Sequence, residues 1–195
     1  KAAIDSGLFD EVMVSTDDKE IASISKKFGA SVPFIRNKKT SNDYVPIVNV
    51  IKEVLNNYNK LSIKFDCFCC LLATAPFVDP DLLTKAYNKM IKEDFDSIFP
   101  AVKYSFPIQR AMQYEKKRIK MIWEENLYKR SQDLKKSYHD SGLFYWSKLK
   151  SFKETGKLWT ENTGAINVSG LRAQDIDTME DWNFAEYKYK ILNEK

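Results

Sequence analysis

No run of apolar residues in this 195-residue chain approaches the roughly 18 needed to cross a bilayer as a helix. A helical membrane span is therefore excluded, and no membrane partner is expected. No secretory leader is read at its start. Cysteine is scarce: Cys67, Cys69 and Cys70 stand together in "DCFCC", an odd, clustered set that suits no disulfide framework. These residues read as inert core thiols in a protein of the reducing cytosol. No basic block is present. Thirty-one Lys and Arg are scattered against 27 Asp and Glu, for a net charge of +4, and without a basic stripe no nucleic-acid partner is expected. Nor is there a glycine-rich phosphate loop, because the six glycines (Gly7, Gly29, Gly142, Gly156, Gly164, Gly170) are dispersed. No internal repeat or low-complexity stretch occurs.

What is there is enough for one domain with a real core, possessing 44% apolar residues. "KAAIDSG" reads as the last turns of a helix with Gly7 at its C′ position, so the chain is expected to begin after an earlier element. A short strand over Val12 to Val14 leads into "STDD", where Asp17 or Asp18 caps a helix that stops at Gly29. A second strand, "SVPFIR", ends on Arg36. Ile47, Val50, Ile51, Val54 and Leu55 share one face of a predicted helix. "FDCFCCLL" reads as a strand buried on both faces, followed by a helix capped by Asp79 with Pro80 in its first turn and Leu82, Leu83, Ala86 and Met90 inward. Further strands are expected at 95–104 and 142–147, with loop and strand over 163–170. The last helix is expected to bury Trp182, Ala185, Tyr189 and Leu192. Residues 105–138 have lower apolar density and read as an inserted arm with two short strands around a charged turn. Strands alternating with helices predict an α/β domain with a mostly parallel sheet. Ligands in such sheets sit beyond the carboxyl ends of the strands.

Four groups of residues at such ends carry chemistry. Asp175 and Asp177 in "QDIDTMED" are two apart, so an extended backbone points both carboxylates to one side. Two converging carboxylates suit Mg²⁺, which keeps its other positions for water and phosphate oxygens. The competing reading makes Asp177 the cap of the last helix and Asp175 an ordinary loop acid. Ser15, Thr16 and Asp17 contact a ligand or simply form a strand-to-helix turn. Arg36 offers a planar fork to a base edge or phosphate, or lies on the surface. Arg130, Gln132 and His139, in "RSQDLKKSYHDSGLFYW", could converge on a polyhydroxylated acid. A structural histidine explains His139 equally well.

The segments "GLFDEVMVSTDDKEIA", "CLLATAPFVDPDLL", "KRSQDLKKSYHDSGLFYW" and "QDIDTMEDWNFAE", in this order and spacing, resemble the acylneuraminate cytidylyltransferase family over the whole chain. The resemblance implies a three-layer α/β/α nucleotidyltransferase, Rossmann-like, with residues 1–195 as a single domain and 105–138 as a dimerisation arm. It implies a cytosolic homodimer joining CTP to a nine-carbon 2-keto acid sugar with Mg²⁺, releasing pyrophosphate. Pseudaminic acid is the first candidate sugar, with sialic and legionaminic acids as alternatives. By the same resemblance, Asp175 and Asp177 hold the metal and carry catalysis, and Arg36 and Asp17 serve the nucleotide. Gln132 and Arg130 serve the sugar, with His139 beside them; the arm would present Gln132 to a neighbouring subunit. Three departures are visible. The family opens with a strand and a loop like "ARGGSKRIPxKN" that grips the triphosphate; this chain starts after it, so little turnover is expected from the chain alone. The cytidine loop continues "DYVPI" where sialic acid synthetases carry small hydroxyl residues. "LLATAP" places Leu72 and Ala73 where those enzymes have a glutamine, which fits a different sugar. An inactive dimerisation module and a D-x-D glycosyltransferase are the alternatives to the family reading.

Overall fold

The structure, a computed structural model, describes residues 1–193. Its main sheet contains β1 (Cys67–Leu71), β2 (Ser97–Lys103), β5 (Tyr138–Asp140), β6 (Phe144–Lys148) and β7 (Thr163–Val168); β3 (Met112–Glu115) and β4 (Arg118–Met121) form a separate hairpin. The helices are α1 (Ala2–Ser6), α2 (Lys19–Lys27), α3 (Ile47–Lys60), α4 (Pro80–Lys92), α5 (Leu149–Thr155) and α6 (Met179–Asn193).

The expected mostly parallel sheet is not what forms. β6 pairs antiparallel with β1 on one side and with β2 on the other, β5 also pairs antiparallel with β2, and only β2–β7 is parallel. The cause lies in the arm. After β2 the chain runs out through residues 104–137 and returns in the opposite direction as β5 and β6. The returning strand is inserted between β1 and β2, which share a direction but never touch. The break between β5 and β6 falls at Gly142, whose φ of +67° is a left-handed conformation that favours glycine. The "YHDS" stretch is largely a strand, with His139 opposite Val102 and Asp140 opposite Ala101.

The alternation of side chains across this sheet builds two cores. Cys67, Cys69 and Leu71 of β1 face one way, with Ile98, Phe144 and Trp146, against Ala3 of α1 and Leu82, Leu83, Ala86 and Met90 of α4. Phe68, Cys70 and Tyr145 face the other way, against Ile51 of α3, Phe152 of α5 and Leu158. The α4 face expected from its periodicity is buried in full, and Asp79 caps the helix by accepting from the Leu82 N–H at 2.7 Å. Burial pushes the Cys69 thiol well up and the Cys70 thiol to about 11, as expected of core cysteines.

Two expectations fail for local reasons. Val12–Val14 and "SVPFIR" meet only as an isolated parallel bridge, Met13 to Ser31. The Ser31 N–H reaches the Val12 carbonyl at 2.8 Å and the Val14 N–H reaches the Ser31 carbonyl at 2.9 Å. The next rung would need an N–H from Pro33, which has none. In α6 only Ala185 is buried, while Trp182 and Tyr189 stay half exposed. Aromatic residues occupy several faces of that helix, so no single stripe exists to bury.

Candidate active site

The segment between β7 and α6 carries Asp175 and Asp177. Asp177 does not cap α6. Thr178 is the cap: its Oγ1 accepts from the Asp181 N–H at 3.2 Å, and Asp181 Oδ2 accepts in return from the Thr178 N–H at 2.9 Å and the Thr178 hydroxyl at 2.7 Å. This is a capping box with Asp at the third position, and T-x-x-D was readable in the sequence. The Thr178 bonds hold the Asp181 carboxyl below the usual carboxylate range. The Asp177 N–H also donates to Asp181, at 3.2 Å. Among the described residues the Asp177 carboxylate itself accepts no hydrogen bond.

Asp175 is exposed, and its Oδ1 accepts from the Ile176 N–H at 3.1 Å. Its Oδ2 lies beside Gly142, 3.9 Å from where a Cβ would stand. A Cβ there would make only ordinary contact, so it is the left-handed φ of +67° and not the acidic segment that favours glycine at 142. Across the β5–β6 junction Asp140 accepts from the Gly142 N–H at 2.9 Å and from the Tyr145 hydroxyl. Burial raises the Tyr145 phenol, and the neighbouring carboxylates of Asp140 and Asp175 add to the shift. Sequence reasoning passed over Asp140 and Tyr145. The polar Asp at the mouth of an aromatic strand was the available signal.

Arg36 and Asp17 form a second group. The Arg36 Nε donates to Ser15 Oγ at 2.9 Å and Nη2 donates to the Ser15 carbonyl, leaving Nη1 unspent. Asp18, not Asp17, caps α2, accepting from the Glu20 and Ile21 N–H groups at 2.7 and 2.9 Å. Asp17 stays exposed, next in sequence to Thr16, whose carbonyl accepts from the Arg36 N–H at 2.9 Å. The loop after Arg36 is ordered from α3, where Glu53 accepts from the Asn37 N–H at 2.8 Å and from the Thr40 hydroxyl.

The third group does not converge as expected. Arg130 forms a two-pronged pair with Asp133, 2.8 Å from Nε and 2.9 Å from Nη2, so its fork is occupied within the arm. Gln132 is exposed, its Oε1 3.3 Å from the Ser131 hydroxyl. The His139 ring packs on Tyr104 with centroids 4.8 Å apart. Its Nδ1 donates to the Asp140 carbonyl at 2.8 Å, which makes Nε2 the acceptor of the neutral ring. His139 also borders an open trough of about 420 Å³ with Tyr138, Asp140, Asn167 and the face of Trp159. Among the described residues no hydrogen bond joins Arg130 or Gln132 to the acidic segment.

The donor chemistry at Asp175 and Asp177 fits a hard divalent cation. Both are carboxylates with open lone pairs on a segment whose cap is made by other residues. Among the described residues no cluster of three or more His, Cys, Asp or Glu forms; the two aspartates would offer carboxylate oxygens, the donor type that Mg²⁺ prefers. Asp175 and Asp177 would hold it.

Comparison with known proteins follows this geometry. Residues 1–192 match the cytidylyltransferase family model. A pseudaminic acid cytidylyltransferase of Campylobacter jejuni is 38% identical, over 98% of this chain and 83% of the relative. A CMP-N,N'-diacetyllegionaminic acid synthase of Legionella pneumophila is 26% identical, over 100% of this chain and 84% of the relative. The fold matches a solved CMP:2-keto-3-deoxy-manno-octonic acid synthetase complexed with CTP, with a TM-score of 0.62 and 14% identity over 97% of this chain and 85% of that one. The glycosyltransferase alternative gives way to this match. The chain belongs to the cytidylyltransferase family of nucleotidyltransferases.

Proposed function

We propose that this enzyme joins CTP to a nine-carbon 2-keto acid sugar, pseudaminic acid, to form the CMP-sugar and pyrophosphate with Mg²⁺. The sugar's anomeric oxygen forms a bond to the α-phosphorus of CTP, the bond from that phosphorus to the pyrophosphate oxygen breaks, and the anomeric hydroxyl gives its proton to solvent water. The observation that carries the reading is the free Asp177 carboxylate two residues from Asp175, on a segment capped by Thr178 and Asp181. The resemblance to pseudaminic acid cytidylyltransferases over 98% of the chain supports the sugar, and the CTP complex of the fold relative supports the nucleotide.

The chain's own groups act mainly by positioning and by balancing charge. Bound Mg²⁺ supplies neutralisation of the phosphate oxygens. Asp175 and Asp177 hold it in place. Arg36, braced on Ser15, presents Nη1 to the nucleotide, which Asp17 also serves. Gln132, whose amide N–H groups are unspent, serves the sugar from the arm. Arg130 would have to give up Asp133 to do the same. Asp140, oriented by the Gly142 N–H and the Tyr145 hydroxyl, lies on the same β5–β6 junction that Asp175 borders.

The domain is single, with 105–138 as its dimerisation arm, and it works as a cytosolic homodimer. Support comes from the apolar surface of the arm: Phe106, Tyr114, Ile119 and Tyr128 are 82%, 73%, 64% and 95% exposed. Among the described residues no helix is long and apolar enough to cross a membrane. The test is pyrophosphate release by the full encoded protein from CTP and Mg²⁺ with pseudaminic, legionaminic or sialic acid. Release with pseudaminic acid above the other two is expected. No release with any of the three would overturn the reading.

A further inference from the structure

The segment that presents Asp175 and Asp177 is strapped to the body of the protein by basic side chains that neither the resemblance nor the sequence singles out. Arg172 donates to Asp79, tying the start of the segment to the cap of α4. From the other side, Lys188 of α6 places its ammonium 2.7 Å from the Ala173 carbonyl and 2.8 Å from Gln174 Oε1. With Oε1 engaged, the Gln174 amide must turn its Nε2 away. That nitrogen donates to the Asp175 carbonyl at 3.0 Å. At the far end, Asp181 holds the Asp177 and Thr178 N–H groups at 3.2 and 2.9 Å. The main chain is thus tethered from residue 173 to residue 178, while the Asp177 side chain stays free.

Lys188 is an unusual choice for a structural tether. It is partly buried, and desolvation lowers its pKa. Among the described residues no ion pair includes it. Its acceptors are neutral oxygens, both on the segment that carries the two carboxylates. Hydrogen bonds from a charged donor are about twice as strong as neutral ones, and these are spent on orienting that segment.

The geometry points to Lys188 as a positioning residue: through the Ala173 carbonyl and the Gln174 side chain it holds Asp175 and Asp177 in the arrangement that binds the divalent cation. The inference rests on the metal reading of that segment. Groups one step removed from a metal ligand typically change affinity about 10–100-fold when lost.

The test is Mn²⁺ binding to the full protein, followed by water-proton relaxation, with amide hydrogen exchange over 173–178 measured in parallel. Lys188→Met is expected to weaken Mn²⁺ about tenfold and to speed exchange in the segment. Lys188→Arg keeps the donors and is expected to stay within about threefold of the parent. Gln174→Ala cuts the relay without substituting a residue of α6, although it also removes a 3.4 Å bond from Nε2 to Asp181, and carries the test if Lys188→Met does not fold. Parent-like Mn²⁺ affinity in both Lys188→Met and Gln174→Ala overturns the inference, even with faster exchange, because Lys188 is then only a helix-docking contact. Asp177→Asn separates the two levels. If it binds Mn²⁺ as the parent does, the metal reading fails and this inference with it. If it loses Mn²⁺ while the Lys188 and Gln174 variants do not, only the role of Lys188 falls.

Discussion

At the scale of single residues, the decisive distinction is between an aspartate that caps and one that is free. Asp18 and Asp79 cap helices, and Asp181 completes the box on Thr178. Asp177 does none of this. Asp177→Asn is therefore expected to lose Mg²⁺-dependent turnover by at least ~100-fold with no fall in thermal unfolding temperature. A matching loss of stability would return Asp177 to a structural role. Thr178→Ala is the complement: it should cost about 1 kcal/mol of stability. Cys70 gives a prediction of opposite character. Its folded pKa of about 11 lies above the ordinary thiol value of 9.0. A thiol raised on folding adds stability below pH 9 that drains as pH rises toward 11, because the unfolded chain loses its proton first. Two units correspond to about 2–3 kcal/mol. Denaturant unfolding at pH 8 and 11 should show that much more alkaline loss in the parent than in Cys70→Ala.

At the scale of elements, β7 controls where the acidic segment begins. Gly164 of β7 lies against the ring of Phe95, with Cδ2 2.3 Å from where a Cβ would stand. Gly164→Ala must displace the ring or the strand and is expected to cost ~1–3 kcal/mol. Equilibrium unfolding checks this, and an unchanged midpoint would show that the ring moves freely. The arm hairpin was legible from its charged turn, yet that turn is made by two lysines. Lys116 and Lys117 have φ of 47° and 67°, the left-handed pair that a two-residue hairpin needs and that Asn-Gly adopts at less cost. No alternation of apolar residues could reveal this. It follows from strand twist.

At the scale of the whole molecule, the arm reshapes the sheet as well as extending from it. By sending the chain out and back between β2 and β6, it sets the antiparallel insertion that separates β1 from β2. It also carries an apolar surface with no cover in the monomer. Sedimentation is expected to show twice the monomer mass. Tyr114→Asp with Ile119→Lys should shift the protein to monomer, because two charges would be buried without partners. A dimer that survives this pair would place the interface elsewhere.

Local periodicity and turn chemistry determined the α4 face, the strand cores around "CFCCL" and "FYW", and the caps at Asp79 and Gly7. Each depends on neighbours within a few residues, where propensity and pattern act directly. The ordered motifs determined the family. The failed ladder at Pro33 and the exposure of the α6 aromatics were local outcomes of the residues themselves. Tertiary structure alone decided the direction of β6. It alone paired Arg130 with Asp133 and not with a shared pocket, and it brought Asp140, Tyr145 and Lys188 to the acidic segment. Those outcomes depend on which distant groups compete for the same hydrogen bonds and the same buried face, and sequence spacing does not encode that competition.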